Sequence, residues 1–498
     1  MKKYIWLRVI KSIISIFLVT AIVIAMVFTM INRNDVFKND QTFRKLKGNA
    51  KTEYRYNTLE SLGYLDKINL GEMCSIEEVD KASCLDVESE DYAKAEAYWQ
   101  DKGYTVYTYT AVGDDLTGSK YATRDYSVAE LVYKYFSKLF DFDHPNKIQD
   151  PNNPDLDNNR GYYFGTDFNG VPALMCNGCE YKYQIYFNAK FPFIHGHILS
   201  LNFGNSYPTS PGISTMNVIS SGQGSQVRKE QEYETGEVIN SADDRHTLRY
   251  KYLTDHLDQR KYVDNYATVD LKTDAPSMIG TSYLFGIISL VFAYVLGLPW
   301  GVAMARNKDK MTDKIGILFI NLSIAIPSLA LIFFLKYIGS LFGLPDKFPQ
   351  FGAGNIKSYI MPIIVMTIIS MPGLMTWIRR YMIDQSSSDY VKFAKAKGLS
   401  RSEISRNHIL KNAIIPIVNG IPASIVLQIS GAIYTETIFA IPGMGKMLPD
   451  AIKSVNNNMI ITLTFIFTAL SIFSLFAGDL LLTWVDPRIS LNAKKGDI

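Results

Sequence analysis

The sequence predicts an α-helical polytopic membrane protein: six transmembrane helices, with a large α+β domain inserted between the first and second. Three observations carry this. Charge is segregated from apolar sequence. Of 498 residues, 20% are charged and 47% hydrophobic, yet residues 32–277 hold 27 Lys+Arg against 37 Asp+Glu, a net of −10, while the remainder holds 24 against 11, a net of +13. Six stretches, 9–31, 278–305, 315–339, 359–378, 413–439 and 459–484, are mostly apolar. A helix rises about 1.5 Å per residue and the hydrocarbon core is about 30 Å thick, so roughly 20 such residues are enough to cross. The stretch 32–277 is far too long for a linker and has the composition of a folded domain. A chain of ordinary soluble domains is excluded.

The first span follows Lys2, Lys3 and Arg8, exceeds the length of a signal-peptide core, and is followed by Met30-Ile31-Asn32-Arg33 without a small-residue cleavage site. It reads as a retained anchor. Later spans contain Pro and Gly, as in Ile326-Pro327-Ser328, which membrane helices tolerate when neighbours satisfy the freed backbone groups. The loops after spans two and four are basic, with Arg306, Lys308, Lys310 and Lys314 in one and Arg379, Arg380, Lys392, Lys395, Lys397, Arg401, Arg406 and Lys411 in the other. Short basic loops face the cytoplasm. Both termini are then cytoplasmic in the cell membrane, 32–277 is extracellular, 278–484 forms the membrane core with a cytoplasmic loop at 379–412, and 485–498 is a cytoplasmic tail.

In the outer segment, 88–99 and 127–140 read as helices and 104–112 and 181–187 as strands. All four cysteines, Cys74, Cys84, Cys176 and Cys179, lie there, which points to disulfides in an oxidising compartment with three pairings open. Cys176-Asn177-Gly178-Cys179 also has redox or metal spacing, but it lacks the second pair that a zinc site needs. His195-Gly196-His197 is a similarly weak metal signal. Both read as structural, with no metal site and no catalytic residue.

The cytoplasmic run Asp389-Tyr390-Val391-Lys392-Phe393-Ala394-Lys395-Ala396-Lys397-Gly398-Leu399-Ser400 has helix formers, a Gly where a helix ends and a Ser placed to cap the next. Small residues at 394, 396 and 398 offer a thin surface to a partner groove. This order resembles the coupling motif, or EAA loop, of permease subunits in bacterial ABC importers, specifically the oligopeptide and dipeptide branch, with Asp389 where the general motif has Glu. His408-Ile409-Leu410-Lys411-Asn412-Ala413-Ile414-Ile415-Pro416, Tyr434-Thr435-Glu436-Thr437-Ile438-Phe439, Pro442-Gly443-Met444-Gly445, Asp486-Pro487-Arg488 and Leu199-Ser200-Leu201-Asn202-Phe203-Gly204-Asn205-Ser206 look like further signatures of these subunits. The resemblance covers 190–490 well and 1–31 loosely. The insertion, at about 45–185, looks like that of the streptococcal Ami type of oligopeptide permease.

The resemblance implies a type I ABC importer permease fold and a role as one permease of a heterodimer. Its implied partners are a second permease subunit, two cytoplasmic ATPase subunits, an extracellular solute-binding lipoprotein, membrane lipid and an oligopeptide substrate, with no nucleic acid. Asp389, Tyr390, Ala394, Ala396, Gly398 and Leu399 are the implied ATPase-coupling residues. Gly443-Met444-Gly445-Lys446-Met447 lacks phosphate-loop spacing, so the chain binds no cofactor, and ATP and Mg belong to the ATPases.

A peptide route must offer polar partners, because unsatisfied amides cost several kcal/mol. Candidates are Asn321, Ser323, Thr367, Ser370, Asn419, Ser424, Gln428, Ser430 and Thr435, with Glu436 near the outer end of span five. Asn419 and Gln428, nine residues apart, fall on opposite helix faces. The competing readings are an ABC importer permease for another solute such as nickel, and a secondary transporter, which predicts an inverted repeat and charge near the midplane that the sequence lacks.

Overall fold

A computed structural model describes residues 2–113, 115–189 and 193–485; the Asp486-Pro487-Arg488 signature, the rest of the tail and the side chain of Ser430 lie outside the described residues. The membrane part consists of α1 (Lys2–Met30), α2 (Met278–Arg306), α3 (Met311–Ala325), α4 (Ser328–Leu341), α5 (Lys357–Ser386), the short α6 (Asp389–Ala396), α7 (Ile415–Gly431), α8 (Ile433–Ile438), α9 (Met444–Ser454) and α10 (Asn457–Val485). Among the described residues five segments are long and apolar enough to cross a membrane: α1, α2, α5, α7 with α8, and α10.

The span expected over 315–339 is not one helix. It is the pair α3 and α4, bent by 112°. Pro327 has no N–H to continue the ladder and disfavours helical geometry in the residue before it, and Ile326 is extended at φ −78°, ψ 128°. Pro299, Pro362, Pro372 and Pro422, by contrast, sit inside continuous helices. Proline is therefore tolerated at these four interior positions and breaks the helix at Pro327.

Helices α2 and α5 pack along their length, as do α7 and α10. Small residues allow the approach: a side chain at Gly301 would overlap Ile378, and one at Gly478 would come within 2.5 Å of the Asn419 carbonyl. Arg8 of α1 pairs with Asp479 of α10. The buried carboxylate of Asp313 takes a two-pronged bond from Arg379, at 2.7 and 2.8 Å, which ties α3 to α5.

In the domain between α1 and α2 every strand pairing among the described residues is antiparallel. Strands β1 (Leu65–Asn69), β2 (Thr105–Thr108) and β3 (Lys120–Asp125) form a sheet in the order β1-β3-β2. Strand β4 (Phe140–Phe142) pairs with the later β9 (Leu199–Leu201), and between them β5 (Gly161–Thr166), β6 (Pro172–Asn177), β7 (Tyr183–Phe187) and β8 (Ile194–Gly196) make a four-stranded meander. Two hairpins follow, β10 (Lys229–Glu232) with β11 (Val238–Ser241) and β12 (Asp243–Tyr250) with β13 (Tyr266–Leu271). The expected helices appear at Glu90–Asp101, capped by Ser89, and Val128–Ser137, capped by Ser127 in a capping box with Glu130. The second ends before 140 because Phe140 is already paired with Leu201.

The disulfides pair locally, Cys74 with Cys84 and Cys176 with Cys179. Buried Asp143 accepts from the Glu180 and Tyr181 amides and from Gln184 Nε2, fixing the turn that carries Cys179. His195 and His197 join an aromatic stack: His197 lies on Tyr181 with ring centres 4.0 Å apart, and Tyr186 stacks on His246, which in turn meets Asp167 at 2.6 Å. Among the described residues no group of three His, Cys, Asp or Glu is placed to hold a metal.

One seam between the two halves is made by three consecutive asparagines at the start of α10. Asn456 Nδ2 donates to Ser206 Oγ and Thr209 Oγ1, both at 2.8 Å, and its Oδ1 accepts from the Tyr207 amide. Asn457 donates to Tyr64 Oη, and Asn458 donates to the Asn205 carbonyl at 2.9 Å. A side chain at Gly204, φ +80°, would press within 2.7 Å of Asn458. The signature at 199–206 is thus the docking strip for α10.

Truncating Asn456 strands several buried partners, each worth about 1–3 kcal/mol when left unsatisfied. Asn456→Ala should lower the unfolding midpoint of the purified protein by an amount equivalent to at least 2 kcal/mol, about twofold more than Asn355→Ala on an exposed loop. A second expectation concerns pH. Burial holds the His197 imidazole down at about 4, against 6.5 when free. The unfolded chain takes up that proton first as pH falls, so stability is lost between about 6.5 and 4 and is fully present above 6.5. Thermal melts across that window should show the decline, and His197→Phe, which keeps the stacking on Tyr181, should flatten it.

Candidate functional site

A partly open cleft of about 640 Å³ runs between α2, α4, α5, α7 and α8. Its walls are mixed: Ser328, Ser370, Ser424, Gln428 and Thr435 supply polar groups, and Tyr294, Trp377, Tyr381 and Tyr434 supply rings. This is a surface on which a chain of amides and varied side chains can be held without being bound tightly at any one atom.

Gln428 organises the cleft. Its Nε2 donates to Ser289 Oγ at 2.9 Å and its Oε1 accepts from Ser370 Oγ at 2.8 Å, so one amide joins α7 to both α2 and α5. Thr367 Oγ1 donates to the Ser289 carbonyl at 3.2 Å and thickens the same seam. Of the residues proposed from sequence, Ser370, Ser424, Gln428 and Thr435 line the cleft. Asn419 does not; it turns to Gly478 of α10, on the face opposite Gln428. Asn321 is exposed on α3, away from the cleft, because the break at Pro327 carries α3 aside. Ser323 lies on the same helix and does not line it either.

Glu436 is buried and makes a tie rather than a free charge in the route. Its Oε1 accepts from Ser282 Oγ at 2.6 Å and its Oε2 from the Lys446 amide at 2.8 Å, while Ser282 Oγ accepts from the Met444 amide at 2.7 Å. The carboxylate therefore closes the first turn of α9, where backbone N–H groups have no helical partner. Gly443 and Gly445 sit against it; a side chain on Gly443 would overlap the carboxylate, and one on Gly445 would come within 3.0 Å. This geometry accounts for Glu436 being followed by Gly-x-Gly. Lys336, a cation within the bent pair, donates to the Ile438 carbonyl at 3.1 Å at the end of α8.

The loop after α5 is a helix, a tight turn and a second helix. α6 ends in a Schellman turn: the Leu399 amide donates to the Ala394 carbonyl at 3.3 Å, the Gly398 amide to the Lys395 carbonyl at 2.9 Å, and Gly398 has φ +81°. Ser400 caps the next helix in a box with Glu403. A π-helical turn over Ile404–Ile409 then leads to Leu410–Ala413 and α7. Ala394 corrects the expectation of a thin outer surface: it is buried with Val391 against Ile378, Met382, Ile404 and Ile409 of the same chain. Tyr390 Oη donates to Gln385 Oε1 at 2.7 Å. The outward face is instead Asp389, Ala396, Gly398, Leu399 and Phe393, whose side chain is 69% exposed.

Sequence reasoning overlooked Ser282, Ser289 and Phe393. The serines are seven residues apart and so share a face of α2, which is a legible spacing; Phe393 was legible as an apolar aromatic flanked by Lys392 and Lys395 in a charged helix.

Residues 297–491 match the family described as binding-protein-dependent transport system inner membrane component. The chain is 40% identical, over all of its length and all of the relative's, to the oligopeptide transport system permease protein AmiC of Streptococcus pneumoniae. It is 32% identical to the dipeptide transport system permease protein DppB of Lactococcus lactis, over 46% of this chain and 77% of that one. Among solved structures, the inward-facing methionine ABC transporter MetNI aligns with 41% of this chain and 93% of that chain at 16% identity and a TM-score of 0.34.

The carboxylate tie has a direct test. Glu436→Gln keeps one acceptor and the shape, whereas Glu436→Ala leaves Ser282 and the first turn of α9 without a partner at a cost of about 1–3 kcal/mol. The Ala variant should purify with the lower melting temperature, the Gln variant close to the parent.

Proposed function

The chain belongs to the oligopeptide permease family of ABC importers, as the transmembrane permease subunit and not an enzyme, and from that premise we propose how its parts divide the work. The observation that carries the reading is that the relationship extends over the whole length, outer domain included. Six crossings are made by α1, α2, the bent pair α3 and α4, α5, α7 with α8, and α10, with both termini cytoplasmic and 32–277 outside. This chain forms one half of the pathway of a multi-pass membrane complex, and a second permease closes the cleft from the other side. Two cytoplasmic ATPases bind ATP and Mg, and an extracellular solute-binding lipoprotein delivers the oligopeptide; the chain itself holds no cofactor.

The loop 379–412 is the coupling element. Phe393, Leu399 and the bare backbone at Gly398 enter a groove on an ATPase, and Asp389 and Ala396 border them. Ala394 and Tyr390 act from beneath by holding α6 on α5. When the ATPases close, α6 moves with them, and the cleft between α5 and α7 opens outward to take the peptide. Gln428, Ser370, Ser424 and Thr435 offer it successive weak hydrogen bonds, and Glu436 holds the outer end of the wall in shape.

Among the described residues, no atom beyond its immediate chain neighbours lies within 4 Å of where a side chain at Gly398 would begin, so a substitution there meets chiefly the cost of a left-handed turn, about 1 kcal/mol. Gly398→Ala and Gly398→Leu carry that same strain. Only the larger side chain obstructs a partner. Gly398→Leu should abolish peptide uptake and co-purification of the ATPases while the subunit stays in the membrane, and Gly398→Ala should keep most of both. Equal loss in the two variants would remove the docking role.

A further inference from the structure

Beyond transport, the structure carries an interaction surface at the base of the outer domain. Helix Val128–Ser137 lies along α1: the ring of Phe136 is 5.1 Å from that of Phe17 and the ring of Phe140 is 6.2 Å from it. Phe17 is 13 residues inside the Met30 end of α1, or about 20 Å along the axis at 1.5 Å per residue. A hydrocarbon core about 30 Å thick therefore contains it even if the last turn of α1 projects above the surface. One turn further in, Ile13 and Ile14 are exposed.

Apolar side chains continue outward from this point without protein covering them. Tyr133 is 74% exposed, Phe142 58% and Leu199 48%, and the register places Phe142 opposite Leu199 on β4 and β9. Phe17, on which Phe136 and Phe140 lie, shares its side of α1 with exposed Ile10 and Ile14, and the exposed apolar stripe runs on through Leu18 and Ile22, a surface made for acyl chains. Lys134 and Lys138, one turn apart and exposed, border the patch, as long cationic side chains do when their stems lie in oil and their heads reach the headgroups. The far side of the same pair is polar: Asp141, between Phe140 and Phe142, meets Lys147 at 2.8 Å.

We propose that the outer domain does not stand clear of the bilayer but rests in it, with Tyr133, Phe140, Phe142 and Leu199 in contact with acyl chains of the outer leaflet. This rests on the six-crossing topology proposed above. Immersion fixes the height and tilt of the domain over the pathway mouth, adding a lipid contact to its protein seam on α10.

The test uses the assembled importer in nanodiscs of phosphatidylcholine and phosphatidylglycerol. Because the four native cysteines of this subunit are paired, Phe142→Cys, Leu199→Cys or Val112→Cys, combined with partner subunits whose accessible cysteines are replaced by serine, supplies the one reactive thiol for an environment-sensitive NBD label. Val112, 94% exposed between β2 and β3, is the reference in water. Nitroxide-bearing acyl chains should quench labels at 142 and 199 severalfold more than at 112, and aqueous iodide should do the reverse. Iodide quenching at 142 equal to that at 112 overturns the proposal, as does protection of 142 from both quenchers, which means a protein partner covers it. An impermeant maleimide on intact cells separates the premises: if Val112→Cys fails to react, the topology is at fault, whatever the quenching shows.

Discussion

Joining a water-facing domain to an apolar bundle at a fixed angle is the constraint on which the rest of this structure depends, and the asparagines at 456–458 meet it. A helix entering a membrane leaves its first N–H groups without helical partners just where water thins out. Here Asn456 satisfies the Met459 amide with the same Oδ1 that accepts from Tyr207. Its amide nitrogen reaches Ser206 and Thr209. The cap of the last helix and the anchor of the outer domain are one side chain. Val455 enters this turn at φ +59°, a conformation a β-branched residue adopts only when its surroundings enforce it.

The same economy recurs lower down. Glu436 caps α9 and bonds Ser282 of α2; Gln428 joins three helices through one amide; Asp313 closes the turn at Asp309 and pairs with Arg379. Each is a polar group in apolar surroundings that is fully spoken for, and each joins elements far apart in sequence. Leaving any one half-satisfied costs more than the bond itself is worth, which is why such groups hold a register better than apolar contacts do.

How much of this was legible depended on whether the signal was local. Five of the apolar spans, the folded domain between the first two, the helices within 88–99 and 127–140, the cap at Ser400 and the turn at Gly398 follow from periodicity and end signals that lie within a few residues of one another. What could not be read was which proline breaks a helix. Pro327 and Pro372 look alike in sequence, but Pro372 lies in α5, which is braced by α2 along its length, whereas α3 and α4 have exposed flanks that leave the chain free to turn. The pathway residues divided on the same ground: Gln428 and Asn419 could be placed on opposite faces of α7, but which face was the cleft required the partner helices. Ala394 was misjudged because small residues fit a neighbour within the chain as readily as one outside it.

The packing beneath α6 gives the loop 379–412 two outlets at once. Val391 and Ala394 press on Ile378 and Met382 of α5, and the same apolar cluster includes Ile404, Ile409, Ala413 and Ile417, the last already in α7. Ile417 also lines the cleft, as do Leu374 and Trp377, within a turn of Ile378. A displacement of α6 is thus delivered to both walls through close-packed side chains, which transmit strain rather than absorb it. Between those walls the hydrogen bonds of Gln428 to Ser289 and Ser370 cross the cleft, so the walls part only if that amide exchanges its partners. A peptide backbone offers the same donors and acceptors as the two serines. On the transport role proposed above, substrate takes over the bonds that wall opening breaks, and the open cleft is less costly with a peptide in it than without one.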